Sequence, residues 1–96
     1  MLRHVVFFKF HPQVAEAEIR DLEQSLRALP AIIGEIAGFE VGRDVVHSER
    51  SYDLCLVSTF ADLEAMQRYQ VHPDHQAVGA KVRKLCSGVI AVDFEV

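Results

Sequence analysis

The stretch Gln67–Val78, QRYQVHPDHQAV, sets Tyr69, His72 and His75 around Pro73. A neutral imidazole is a competent general base at physiological pH. A phenol hydroxyl can donate to an enolate oxygen as charge develops on it. A tyrosine and a histidine are therefore enough for cofactor-free proton abstraction beside a carbonyl, as in aldol closure or isomerisation. The same residues also read as punctuation. Pro73 disfavours helix at His72 and suits the first turn of a new helix, so one helix breaks here and another starts. In that reading Asp74 suits the positive helix end, and Tyr69 packs and makes one hydrogen bond.

Metal ligation is not expected. Pro73 keeps His72 and His75 from being adjacent rungs of one helix, no third ligand of matching type is near, and there is no HExxH or cysteine pair. No glycine-rich phosphate loop, nicotinamide fingerprint or nucleophilic triad is present either, so no cofactor is expected.

Around this stretch the chain alternates strands with helices. In LRHVVFFKF, Leu2, His4, Val6, Phe8 and Phe10 share one strand face, with His4 the only polar member. From Val14 the spacing turns helical: Ile19, Leu22, Leu26 and Leu29 form the stripe, with Glu16, Asp21, Glu23 and Arg27 off it. Pro30 stops this helix, and a second strand follows around Phe39–Arg43. Tyr52–Phe60 reads as the third strand. Asp62 is placed to cap a short helix over Leu63–Gln70. Pro73–Leu85 is the next helix, with Gly88 expected to close it, and VIAVDFEV is the last strand. The order βαββαβ is the split βαβ pattern: α+β, ferredoxin-like, one domain over residues 1–96, with helices on one face of a four-stranded antiparallel sheet. The first and last strands are then antiparallel neighbours. His4 and Asp93 come within reach of each other, the carboxylate fixing the imidazole tautomer. A cavity between sheet and helices would have Val6, Phe8, Leu54 and Leu56 as walls and Tyr69 and His75 at its mouth.

Composition narrows the partners. The 96 residues carry a formal charge of -4, with Lys and Arg scattered singly, so nucleic acid is not expected. The first apolar run, Val5–Phe8, is too short for a signal-peptide core or a bilayer span, so the expected partners exclude membrane and the expected compartment is the cytoplasm. Cys55 and Cys86 read as a core thiol and a helix thiol, both reduced. The outer strands are apolar on both faces: Val5 and Phe7 on one side of the first, and Ile90, Val92, Phe94 and Val96 on one side of the last. Two helices cover only one sheet face. The other face predicts a two-fold homodimer that packs sheet against sheet.

HVVFFKF with Pro12, LRALPAIIG, FEVGRD, YDLCLVSTF, YQVHPDHQAV and the ending VIAVDFEV together resemble the stress-responsive dimeric α/β-barrel (Dabb) family, over essentially the whole chain. The resemblance implies a ferredoxin-like half whose sheet pairs with a second copy to form a barrel. Most members look like proteins of unassigned role. A plant polyketide cyclase of the family works with a tyrosine and a histidine, without metal or cofactor. The resemblance carries its tyrosine onto Tyr69, its histidine onto His75, its first-strand histidine onto His4 and its C-terminal aspartate onto Asp93. Where the cyclase has a third-strand histidine, this chain has Leu54. Two readings follow: a homodimeric protein that binds a small hydrophobic or aromatic molecule, and a cofactor-independent cyclase, lyase or isomerase. In the second, His75 is the base, Tyr69 the oxyanion donor, and His4–Asp93 the orienting pair.

Overall fold

The computed structural model describes residues 1–96. Strand β1 (Leu2–Phe10) leads to helix α1 (Glu16–Ala28) and a 3-10 turn over Leu29–Ala31, then to strands β2 (Gly38–Arg43) and β3 (Leu54–Phe60). Helices α2 (Leu63–Val71) and α3 (Pro73–Leu85) precede the last strand, β4 (Cys86–Glu95). The sheet order is β2-β3-β1-β4, antiparallel throughout, which is the ferredoxin-like arrangement expected from the βαββαβ order.

The period-two pattern of β1 decides which side is core. Leu2, His4, Val6, Phe8 and Phe10 are buried beneath the helices, while Phe7 is exposed on the opposite face. Leu54, Leu56, Ser58 and Phe60 do the same on β3. From α1 and the turn after it, Leu22, Leu26 and Leu29 complete the seal. Each such side chain taken from water contributes about 1.5–3 kcal/mol.

Several local expectations change. Glu23, off the apolar stripe, is buried: Arg43 of β2 donates to it at 2.6 Å and Arg27 at 3.4 Å, because its turn of α1 lies against the β2 edge. Gly88 does not close α3. The helix ends at Leu85, where Cys86 is already extended (φ -103°, ψ 137°), so no left-handed residue is needed and Gly88 pairs with Lys9 inside the sheet. Cys86 is therefore a strand thiol. Cys55 is half-buried on the helix-free face and not in the core, since it alternates with Leu54 and Leu56. Both cysteines are free, and burial raises the pKa of each, Cys86 to about 11 with help from Asp53.

Asp62 does cap α2, accepting the Ala65 N–H at 2.8 Å. No helix is long and apolar enough to cross a membrane. On the helix-free face, Phe7, Ile90, Val92 and Phe94 are all exposed, and with Val5 and Ala91 they line an apolar groove of about 190 Å³.

Candidate functional site

The break at Pro73 orients the site. His72 ends α2 in an extended conformation (φ -62°, ψ 135°) and caps α3, its Nδ1 accepting the Asp74 N–H at 3.1 Å. The punctuation reading of this stretch is thus correct as local structure. The break also turns the start of α3 back over the end of α2. Tyr69 and His75 come ring to ring, with centroids 4.3 Å apart and planes at 50°.

Tyr69 is completely buried, with Phe60 packed against it at 4.9 Å and His4 edge-on at 6.4 Å. Its hydroxyl is the one buried side-chain polar atom in the chain without a hydrogen-bond partner. Burial raises the Tyr69 pKa above its ordinary value of 10.0, because the charged phenolate loses solvation. The side chain accordingly keeps its proton at every physiological pH and can only act as a hydrogen-bond donor through it.

His75 is half-buried, and its Nδ1–H donates to the Gln70 carbonyl at 3.1 Å. A carbonyl only accepts, so the neutral ring leaves Nε2 as its basic nitrogen. Burial lowers the His75 pKa from 6.5, with the Gln70 bond opposing in part and His4 and His72 adding small like-charge effects. The ring is held neutral and ready to accept a proton.

His4 and Asp93 face each other directly across β1 and β4, and the imidazole Nδ1 meets the Asp93 carboxylate. The contact fixes the His4 tautomer, with the proton on Nδ1 and the lone pair on Nε2. The carboxylate itself reaches the wet rim, 37 % exposed, while the ring is nearly sealed at 9 %. Substituting Asp93→Asn should release the tautomer. In nitrogen-15 spectra of His4 the Nδ1–H form should lose its dominance, with any turnover falling on the order of tenfold, as for other orienting partners. An unchanged His4 spectrum would show that the pair does not set the tautomer.

All three rings line a cavity of about 310 Å³ between sheet and helices, near the lower end of the range for small-molecule sites. Val6, Phe8 and Leu56 form its floor. Leu54 does not line it. That side chain is on the correct face, between Phe8 of β1 and Arg43 of β2, and is buried in the core at the start of β3. The cavity instead runs toward β4, where Val89 and Ala91 remain exposed beneath α3. Sequence reasoning did not single out Val78, Gly79, Val82 and Arg83, although their spacing of three, four, seven and eight from His75 is the signature of one helix face. Of three larger hollows, two of about 380 and 420 Å³ lie at the Arg43–Asp44 end and one of about 320 Å³ lies against α1 beside Asp21, and none holds a buried unpaired polar atom.

Known proteins resemble the whole chain. The model of the stress responsive A/B barrel domain, Dabb, matches residues 2–96. An uncharacterized protein of Streptomyces coelicolor is 35% identical over 97 residues, covering 99% of each chain. The olivetolic acid cyclase of Cannabis sativa is 25% identical over 95 residues, covering 97% of this chain and 94% of its own. Among solved structures, a dimeric ferredoxin-like protein of unknown function from Thermobifida fusca superposes with a TM-score of 0.90 at 27% identity, covering 99% of this chain and 90% of that one. By sequence and by fold, this chain belongs to the stress-responsive A/B barrel domain family.

Proposed function

We propose that this protein is a homodimer that binds a small apolar ketone-like molecule in the cavity under α3 and moves a proton at the carbon beside its carbonyl. The single observation that carries this reading is the unpartnered hydroxyl of Tyr69, a buried residue that lines one cavity together with His75 and His4. A buried donor left unpaired costs about 1–3 kcal/mol, a cost that a ligand oxygen accepting its hydrogen bond removes. That bond strengthens as the oxygen becomes an enolate, which lowers the barrier as well as holding the ligand. His75 Nε2 takes the carbon-bound proton, and His4, held by Asp93, lines the same cavity. The family relative named as a cyclase supports a catalytic reading.

The neutral probe valerophenone tests this. Deuterium uptake at its carbon beside the carbonyl, followed by proton NMR, should be accelerated by the protein. His75→Ala should remove on the order of 10²–10³ of that acceleration, while ligand-observed binding stays within a few-fold. The rate should rise with pH along an acid limb whose midpoint is below 6.5, the ordinary histidine value, because burial depresses the His75 pKa. Tyr69 should add no alkaline limb below 10. The same depression makes stability pH-dependent. The unfolded chain takes up the proton first as pH falls, so the contribution is complete above 6.5 and is lost as pH falls through the folded value. Binding without exchange in the wild type would leave a binding protein with no chemistry.

A further inference from the structure

The cavity's four polar side chains are His4, Tyr69, His75 and Arg83, and no acidic group lines it. The first three belong to the reading above; Arg83 has no part in it. Arg83 also takes part in none of the chain's ion pairs, unlike Arg20, Arg27, Arg43 and Arg68. Arg83 and Lys84 both stand in the last turn of α3, where either charge complements the negative helix end. Lys84 faces the other way, into a hollow against α1 beside Glu18 and Asp21.

We infer that Arg83 makes the cavity selective for ligands that carry a carboxylate, an inference that rests on the cavity being a small-molecule site. Helical side chains lean toward the helix N-terminus, so Arg83 lies back over the residue four before it. That residue is Gly79, where a Cβ would stand 3.4 Å from Nη1 of Arg83. The missing side chain leaves the guanidinium room to lie along the cavity rim. One further turn toward the N-terminus, about 6 Å along the axis, is His75.

The rim thus presents a planar cation with its donors free, beside a floor of Val6, Phe8 and Leu56 and within a chain of net charge -4. A guanidinium fork matches a carboxylate through two parallel N–H···O bonds. The ligand class that engages both Tyr69 and Arg83 is an apolar keto acid: its carbonyl oxygen accepts from Tyr69, its body covers the apolar floor, and its carboxylate meets Arg83 at the solvent edge.

Two probes of the same carbon skeleton test it. Valerophenone and 5-oxo-5-phenylpentanoate differ only in the terminal carboxylate. By calorimetry or ligand-observed NMR at low salt, the acid should bind about fivefold more tightly than the ketone, as for a well-formed, partly exposed ion pair. Arg83→Gln should erase that preference and leave the affinity for valerophenone unchanged, and Arg83→Lys should restore part of it. Arg83 is exposed and unpaired, so neither variant threatens folding. Equal affinities in the wild type, or a preference that survives Arg83→Gln, would overturn the inference while leaving the cavity reading in place. Failure of both probes to bind at millimolar concentration would overturn the cavity reading, and this inference with it.

Discussion

Tyr69→Phe is expected to raise the melting temperature while removing most of the deuterium exchange of valerophenone. The two effects have one origin. Tyr69 is fully buried, and its ring packs on Phe60 at 4.9 Å and on His75 at 4.3 Å, contacts that phenylalanine keeps. What leaves is a hydroxyl with no partner in the folded chain. Removing it should stabilise the fold by about 1 kcal/mol, or about 4–8 °C for a domain of this size. In the proposed reaction the same hydroxyl is the donor to the developing enolate. Its loss should cost on the order of 10²–10³ in rate, as for a single oxyanion donor elsewhere. Function that opposes stability at one atom marks a site and not a core position. A lower melting temperature would mean that the hydroxyl serves the fold, and an unchanged rate would mean that it does not face the reacting oxygen.

Val92→Asp is expected to turn a dimer into a folded monomer. Val92 is 65 % exposed on the helix-free face, next to Phe94 at 42 % and Ile90 at 49 %, with Phe7 across the β1–β4 ladder. No element of the chain covers this face, and such a patch is unusual on a monomer. The dimeric Thermobifida fusca relative shares the fold. A two-fold packing of sheet on sheet places the aspartates of both copies in the dry interface. Each buried, unpaired carboxylate costs several kcal/mol, so the dissociation constant should rise at least about a thousandfold. Light scattering at micromolar concentration reads the mass, and circular dichroism should show the secondary structure intact. Val92→Ile should remain dimeric. A wild-type chain that is monomeric under these conditions would refute the pairing.

Much of this protein is determined by local pattern. The alternation in β1 and β3, the stripe Leu22–Leu26–Leu29, the cap at Asp62 and the break at Pro73 all follow from periodicity and backbone sterics within one segment. The opposition of His4 and Asp93 follows as well, because the βαββαβ order makes the first and last strands neighbours and the register sets the two side chains on one face. Packing between segments decided the rest. Leu54 has the face and chemistry of a cavity wall and is as buried as Leu56, yet of the two only Leu56 lines the cavity, which no spacing in the sequence encodes. Glu23 looks solvated by pattern and is buried, because its partner Arg43 is twenty residues away. The unpaired Tyr69 hydroxyl and the free guanidinium of Arg83 are properties of what surrounds an atom in three dimensions. A one-dimensional pattern records which residues share a face; only the folded chain decides which polar groups are left without a partner there.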